Sequence, residues 1–337
     1  MDLDTFFTLL YVFIDNWYKA EGARLMQRHA GPALQMSDSE VLTIAIAGQW
    51  REGVPWRSER SLVRYLEVHG RRWFPRMLKR SAFNYRVRHL WAALVRLQQV
   101  LAEALTDEKD LYEVVDCVPL PACSRAQAYR SHHWLDWSRM GHGGTHGGWF
   151  FGDQLLMSVT PKGLITGWLL GDAQTDDRWL LQAFLSQRAG KPELLPPARR
   201  PRNGQARELH PPVGQLLPLT AVGVGNPRPY LADRGFNGAR WQQHWRSRYV
   251  AEVITIPPDN APDAWLKPSK RWLKHHRQKI DTIFAFLTDV FGLARLQAHS
   301  RWGQITRLAA KCAALNFAIW LNHQLARPLL AFATLLC

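Results

Sequence analysis

Three aspartates sit where a carboxylate needs a reason. Asp116 follows the β-prone run Leu111-Tyr112-Glu113-Val114-Val115, and Cys117-Val118-Pro119-Leu120-Pro121 continues extended beyond it. A charge placed there is costly unless it is paired or bound to metal. Asp233 repeats the arrangement: Tyr230-Leu231-Ala232 leads in, and Arg234-Gly235-Phe236-Asn237-Gly238 follows, its glycines permitting a sharp turn beside the acid. Asp281 lies in Arg277-Gln278-Lys279-Ile280-Asp281-Thr282-Ile283-Phe284; on a helix, Ile280, Ile283 and Phe284 face the core and leave Asp281 on the adjoining face. Any one of these acids reads as an ordinary turn or cap residue. Three of them, ordered strand end, strand end, late helix among basic residues, suit hard divalent cations such as Mg²⁺, which choose carboxylate and water oxygens. Two such ions roughly 3.5–4 Å apart activate an attacking hydroxyl and stabilise a leaving oxygen in phosphoryl transfer.

The charge balance agrees with a phosphate-bearing partner. Lys and Arg number 43 against 28 Asp and Glu, a net charge of +15 that points to nucleic acid or an anionic membrane. No apolar run reaches 18 residues, since Asn316, Asn322, His323, Arg327 and Pro328 break the C-terminal tract, so a membrane partner is not expected. The opening Met1-Asp2-Leu3-Asp4 is acidic where a secretory signal is basic. Cys117, Cys123, Cys312 and Cys337 are too scattered for a disulfide scaffold and form no CxxC pair. A soluble, cytoplasmic protein acting on nucleic acid is the expectation. No GxxxxGK[ST] loop is present to support ATP use.

The elements that must position the acids follow from periodicity. Residues 1–107 read as a helical domain: Phe6, Leu9, Leu10, Phe13 and Ile14 have helical spacing, and Ser37 with Glu40 three residues on forms a capping box. A helix is expected over 82–105, where Arg86, Arg88 and Arg96 form either a solvated face or a DNA contact. From residue 111 the pattern becomes β-prone, with strands over 150–160 and 164–170 joined by Pro161-Lys162-Gly163. A helix over 176–188 precedes a basic, proline-rich insertion at 189–218. A strand over 249–256 and helices over 270–290 and 305–326 complete the chain. The sequence therefore predicts an α/β core over 108–300, preceded by the helical domain, with a C-terminal helical segment, 301–337, packing on the core.

At the aspartates the chain becomes recognisable. Val114-Val115-Asp116-Cys117-Val118-Pro119-Leu120, Leu231-Ala232-Asp233-Arg234-Gly235-Phe236 and the stretch 277–287 resemble the three acidic motifs of bacterial insertion-sequence transposases of the DDE superfamily. Met36-Ser37-Asp38-Ser39-Glu40-Val41-Leu42-Thr43, Ser81-Ala82-Phe83-Asn84-Tyr85-Arg86, Phe150-Phe151-Gly152 and Asp172-Ala173-Gln174-Thr175-Asp176-Asp177 are similar to flanking blocks of that group, in the same order. The likeness runs from about residue 36 to 295. It implies an RNase H-like mixed sheet flanked by helices, with Asp116, Asp233 and Asp281 holding two Mg²⁺ or Mn²⁺ ions. It further implies cleavage at the ends of an insertion sequence by water, then joining of the freed 3′-hydroxyl to target DNA. Double-stranded DNA, as terminal inverted repeats and target, would be the partner, and holding two ends together calls for a homodimer. Arg277, Lys279, Arg234 and Arg86 are the DNA-contact candidates.

The chain departs from that pattern in two ways. The third acid is usually glutamate, and Asp281 is one methylene shorter. Arg277 stands four residues before it as in relatives, but Lys274 occupies a tyrosine position and Thr288 a lysine position. Glu252, in an expected strand, is a weaker substitute for the third acid. A related nuclease without strand transfer, or a DNA-binding protein that has lost catalysis, are the competing readings.

Other features point less firmly. His142 and His146 stand four apart, but the glycines around them favour a loop over a zinc-binding helix. Trp134 with Trp137, and Trp241 with Trp245, suit either core packing or base stacking, and His132-His133 and His275-His276 lie in basic surroundings.

Overall fold

The computed structural model describes residues 1–25, 34–128, 138–143, 148–190, 228–257, 265–294 and 296–336. Most of the basic insertion, together with His132, His133, Trp134, Trp137 and His146, lies outside these residues. The chain divides into two compact units: Met1–Ala104 with Phe286–Cys337, and Leu105–Ala285. The C-terminal segment, expected on the catalytic core, thus clusters with the N-terminal helices.

The first unit is helical. In α1 (Leu3–Ala20) the Asp2 carboxylate caps the helix by accepting from Thr5 N at 2.8 Å, and Phe6, Phe7, Leu10, Ile14, Trp17 and Tyr18 form its buried stripe. The capping box opens α2 (Asp38–Ala47): Ser37 N donates to Glu40 Oε2 at 2.6 Å, and Glu40 N to Ser37 Oγ at 3.1 Å. Nearly every residue of α2 is buried, as suits a helix at the centre of a bundle. Next come α3 (Glu59–His69), α4 (Arg80–His89) and α5 (Trp91–Leu105). The single helix expected over 82–105 is in fact two: Leu90 ends α4, its N–H bonding back to Arg86 O. Late in the chain α10 (Arg301–Gln324) packs on α2 and α4, and its residues 308–319 are buried throughout.

The second unit is mixed α/β. Its elements are β1 (Glu113–Cys123), a short α6 (Arg125–Ala128), β2 (Arg139–His142), β3 (Trp149–Val159), β4 (Ile165–Asp172), α7 (Asp177–Arg188), β5 (Tyr230–Leu231), α8 (Ala239–Tyr249), β6 (Val253–Ile254) and most of α9 (Lys267–Asp289). One edge of β3 pairs antiparallel with β1; the other pairs antiparallel with β2 and then β4. Beyond β1 the sheet turns parallel, β5 on β1 and β6 on β5. Every residue of β4 is buried, the mark of a strand covered on both faces. The turn from β3 to β4 uses Gly163 at φ +92°, a backbone conformation that glycine adopts without a side-chain clash. Val115, Leu156 and Leu169 of the sheet pack against Leu180, Leu181 and Phe184 of α7, with Trp245 and Tyr249 of α8 closing the same core.

Two expectations need correction here. Asp116 is not at a strand end, because β1 runs on through both prolines to Cys123. The strand expected over 249–256 shrinks to two residues, because Tyr249 still belongs to α8 and Val250 stops that helix at φ +56°. Strand β2 was not anticipated. Among the described residues no helix is long and apolar enough to cross a membrane.

Candidate acidic site

Strand register brings the first two acids together. Val114 of β1 pairs with Leu231 of the neighbouring parallel β5, and Asp116 and Asp233 each lie two residues further on. Side chains two apart on a strand share a face, so the two carboxylates emerge at one level from adjacent strands. Asp116 Oδ1 accepts from Cys117 N at 2.8 Å. Asp233 is extended (φ −73°, ψ 168°) and caps the 3-10 turn Arg234–Phe236, its carboxylate accepting from Arg234 N.

A cation from α9 spans the pair. Arg277 Nη2 donates to Asp116 Oδ2 at 2.9 Å, and Nη1 to Asp233 Oδ1 at 3.3 Å. The side chains of Arg277 and Asp116 are each only 17% exposed, so this pairing is screened far less than a surface ion pair. Arg277 Nε is buried without a hydrogen-bond partner among the described residues. Leu273, Ile280 and Ile283 hold this stretch of α9 in place as its buried stripe. Asp281 lies one turn after Arg277, exposed, on the same side of the helix.

The charges of the other two acids bear on Asp116. Burial pushes the Asp116 carboxyl up to about 6. Arg277 and the Cys117 N–H oppose that rise, whereas the charges of Asp233 and Asp281 add to it. Asp281 is therefore near enough for its charge to be felt at Asp116.

A fourth carboxylate escaped the sequence reading. Asp177, the first residue of α7, has its carboxyl raised chiefly by burial and further by Asp176 and Asp233, against hydrogen bonds from the Cys117 thiol and Gln154. Gln154 Nε2 donates to Asp177 Oδ1 at 3.2 Å, and Oδ2 faces Gly235, where a built Cβ would meet it at 3.6 Å. Burial, followed by Asp177 and Asp116, pushes the Cys117 thiol well up. The signal was present in Asp176-Asp177: Asp176 caps α7 by accepting from Arg178 N, so its neighbour is an acid the cap does not need.

The remaining candidates divide. Lys279 is half-buried on α9. Arg234 lines a cavity of about 750 Å³ with Gln242, Thr255 and Trp265. Arg86 belongs to the other unit, where it is held by Asp38 and by Met36 O, to which Nη1 donates at 3.3 Å. Glu252 is exposed and pairs with Arg246 at 3.4 Å.

Among the described residues no group of three or more His, Cys, Asp or Glu converges on a single metal position. What converges is an all-oxygen pair with a guanidinium fork lying across it, in the place a cation would take. That donor set suits a hard divalent ion. Comparison with family models, with curated proteins and with solved structures yields no match for this chain.

Proposed function

We propose that the chain is a metal-dependent DNA transposase of the DDE type, cutting the ends of an insertion sequence and joining the 3′-hydroxyl to target DNA. The observation that carries this reading is the Arg277 bridge between Asp116 and Asp233, with Asp281 one helical turn away. The strand order supports an RNase H-like core: three antiparallel strands, β4, β3 and β1, are followed across the sheet by the parallel β5 and β6. The first acid rides on β1, the second follows β5, the strand parallel to β1, and the third lies on a late helix, where the resemblance implies the first strand, the end of the fourth and a later helix.

Asp116, Asp233 and Asp281 would hold two Mg²⁺ or Mn²⁺ ions, which supply Lewis acidity for phosphoryl transfer. The protein's own part is positional. The Cys117 N–H fixes one oxygen of Asp116, and the turn after β5 fixes Asp233, so both carboxylates are oriented before substrate arrives. Arg277 offers a planar fork that matches phosphate oxygens as well as carboxylates, which makes it the residue of this site best suited to a DNA phosphate. The excess of basic residues draws a duplex toward the acids. The protein acts in the cytoplasm on double-stranded DNA, as a homodimer that holds two ends.

The test is strand joining. A labelled duplex with a terminal repeat and free 3′-hydroxyl is incubated with a plasmid target and either Mg²⁺ or Mn²⁺. Label transferred to the plasmid supports the proposal. Cleavage without transfer leaves a nuclease, and neither activity at either ion overturns catalysis.

A further inference from the structure

Helix α4 departs from an ordinary surface helix. Phe83 is its only buried residue, and its sequence, Arg80-Ser81-Ala82-Phe83-Asn84-Tyr85-Arg86-Val87-Arg88-His89, contains no acid. Lys79 precedes it with no side-chain cap hydrogen bond. Solvated helices usually mix both signs of charge and expose few rings. Here Tyr85 is 57% exposed, and a second ring, Trp302 at the start of α10, is 52% exposed.

The two sides of α4 are clearly divided. Inward, Phe83 enters the bundle, Asn84 Nδ2 donates to Glu59, and Arg86 is clamped by Asp38 and Met36 O. Arg86 therefore anchors the helix and is not its outward contact. Outward, Ser81, Tyr85 and His89 recur every four residues, all exposed, in one stripe about 12 Å long. The Tyr85 and His89 rings lie 4.3 Å apart, and His89 to Trp302 is 6.3 Å. Trp302 Nε1 donates to Arg88 O at 3.0 Å, so α10 caps the last turn of α4 and holds the aromatic row rigid.

We infer that α4 is the element that reads duplex DNA, its Ser81–Tyr85–His89 face entering the major groove while Lys79 and Arg80 hold phosphates. The major groove admits a single α-helix, and hydroxyl and imidazole groups both donate to and accept from base edges there. Cations without intervening acids match the phosphate backbone, whereas a protein or lipid partner would give the polar stripe no such complement. This inference rests on the reading of the chain as a DNA-binding enzyme and adds which surface recognises sequence.

The experiment is selection from a duplex library with a random core, followed by anisotropy titrations of the selected duplex and of a random duplex. Wild type enriches one core. Tyr85→Ala with His89→Ala lowers affinity for that core by about tenfold or more and leaves random-duplex binding unchanged. Arg80→Ala weakens both duplexes equally and reduces the salt slope by about one. Ser81→Glu, a substitution in open solvent, serves if the ring variant unfolds, and it too must lose the selected core. Variants that enrich the same core with wild-type affinity overturn the role of α4 alone. A wild-type chain that binds no duplex overturns the DNA reading as well.

Discussion

Arg277 Nη2 donates to Asp116 Oδ2 at 2.9 Å, joining two residues 161 positions apart in the chain. The same guanidinium reaches Asp233, so one cation balances two acids whose strands force them together.

The burial of Asp116 has a signature in stability. Asp116 titrates at about 6 when folded and at its ordinary 3.8 when unfolded, so the folded chain binds more protons between about pH 4 and 6. Stability therefore falls as pH rises through this window. Asp116→Asn removes the effect. Urea unfolding should show the variant gaining on wild type from pH 4 to pH 7 by at most about 3 kcal/mol. A difference that stays constant with pH would contradict the burial assigned to Asp116.

Removing the internal cation should expose a need for an external one. Arg277→Met leaves Asp116 and Asp233 unbalanced, and its unfolding temperature should drop in the absence of divalent ions. Mn²⁺ binding only the folded chain restores stability, by about 2.7 kcal/mol at a hundred times its Kd. Calorimetry with and without Mn²⁺ reads this directly. A variant indifferent to the ion would mean that the acids do not form a cation site.

A second buried ion pair is structural. Glu113 on β1 accepts from Thr166 Oγ1 at 2.6 Å, from Ser158 Oγ, and from Arg188 Nη1 at 2.8 Å; the same Nη1 donates to Tyr230 Oη at 2.8 Å. Burial alone would raise the Glu113 carboxyl, but Arg188 and the two hydroxyls hold it below its usual range. Arg188→Met strands a buried carboxylate and should cost about 3–5 kcal/mol, most of it recovered in Glu113→Met/Arg188→Met. Chemical denaturation of the single and double variants checks the recovery. An undamaged single variant would place the pair outside the cooperative core.

Lys311 in the helical unit acts on stability in the sense opposite to Asp116. Its amine, only 1% exposed, donates to Gln49 Oε1 at 3.0 Å and to Phe291 O, while burial, Arg51 and Arg307 depress its pKa well below the ordinary 10.5. The unfolded chain then holds a proton that the folded chain has released, so this lysine makes stability rise with pH until about 10.5. Lys311→Met should flatten the rise between pH 7 and pH 9 in denaturant titrations. An unchanged slope would assign it to another group.

The sequence disclosed what depends on local rules and withheld what depends on partners. The Ser37–Glu40 box and the strands flanking Gly163 were legible because each is settled within a few residues. The break at Leu90 was not, because apolar periodicity continues across it while Trp302, from far along the chain, bonds to the carbonyl at Arg88. Val253 and Ile254 looked like part of a long β-branched strand, yet Trp245 and Tyr249 commit the preceding residues to α8. Asp116 and Asp233 could be picked out by their apolar lead-ins. Beyond the Asp176-Asp177 doublet itself, Asp177 had no such lead-in, and its hydrogen bond to Gln154 is visible only once β3 and α7 are packed.

The most direct test of the account is nicking of a labelled terminal-repeat duplex in Mg²⁺ or Mn²⁺ by wild type, Asp281→Ala and Asp281→Glu. The account predicts cleavage by wild type and a loss of at least about a hundredfold in Asp281→Ala, with duplex binding retained. Cleavage by Asp281→Ala at the wild-type rate would remove Asp281 from the site. A silent wild type restored by Asp281→Glu would mean that the shorter side chain has disabled the enzyme.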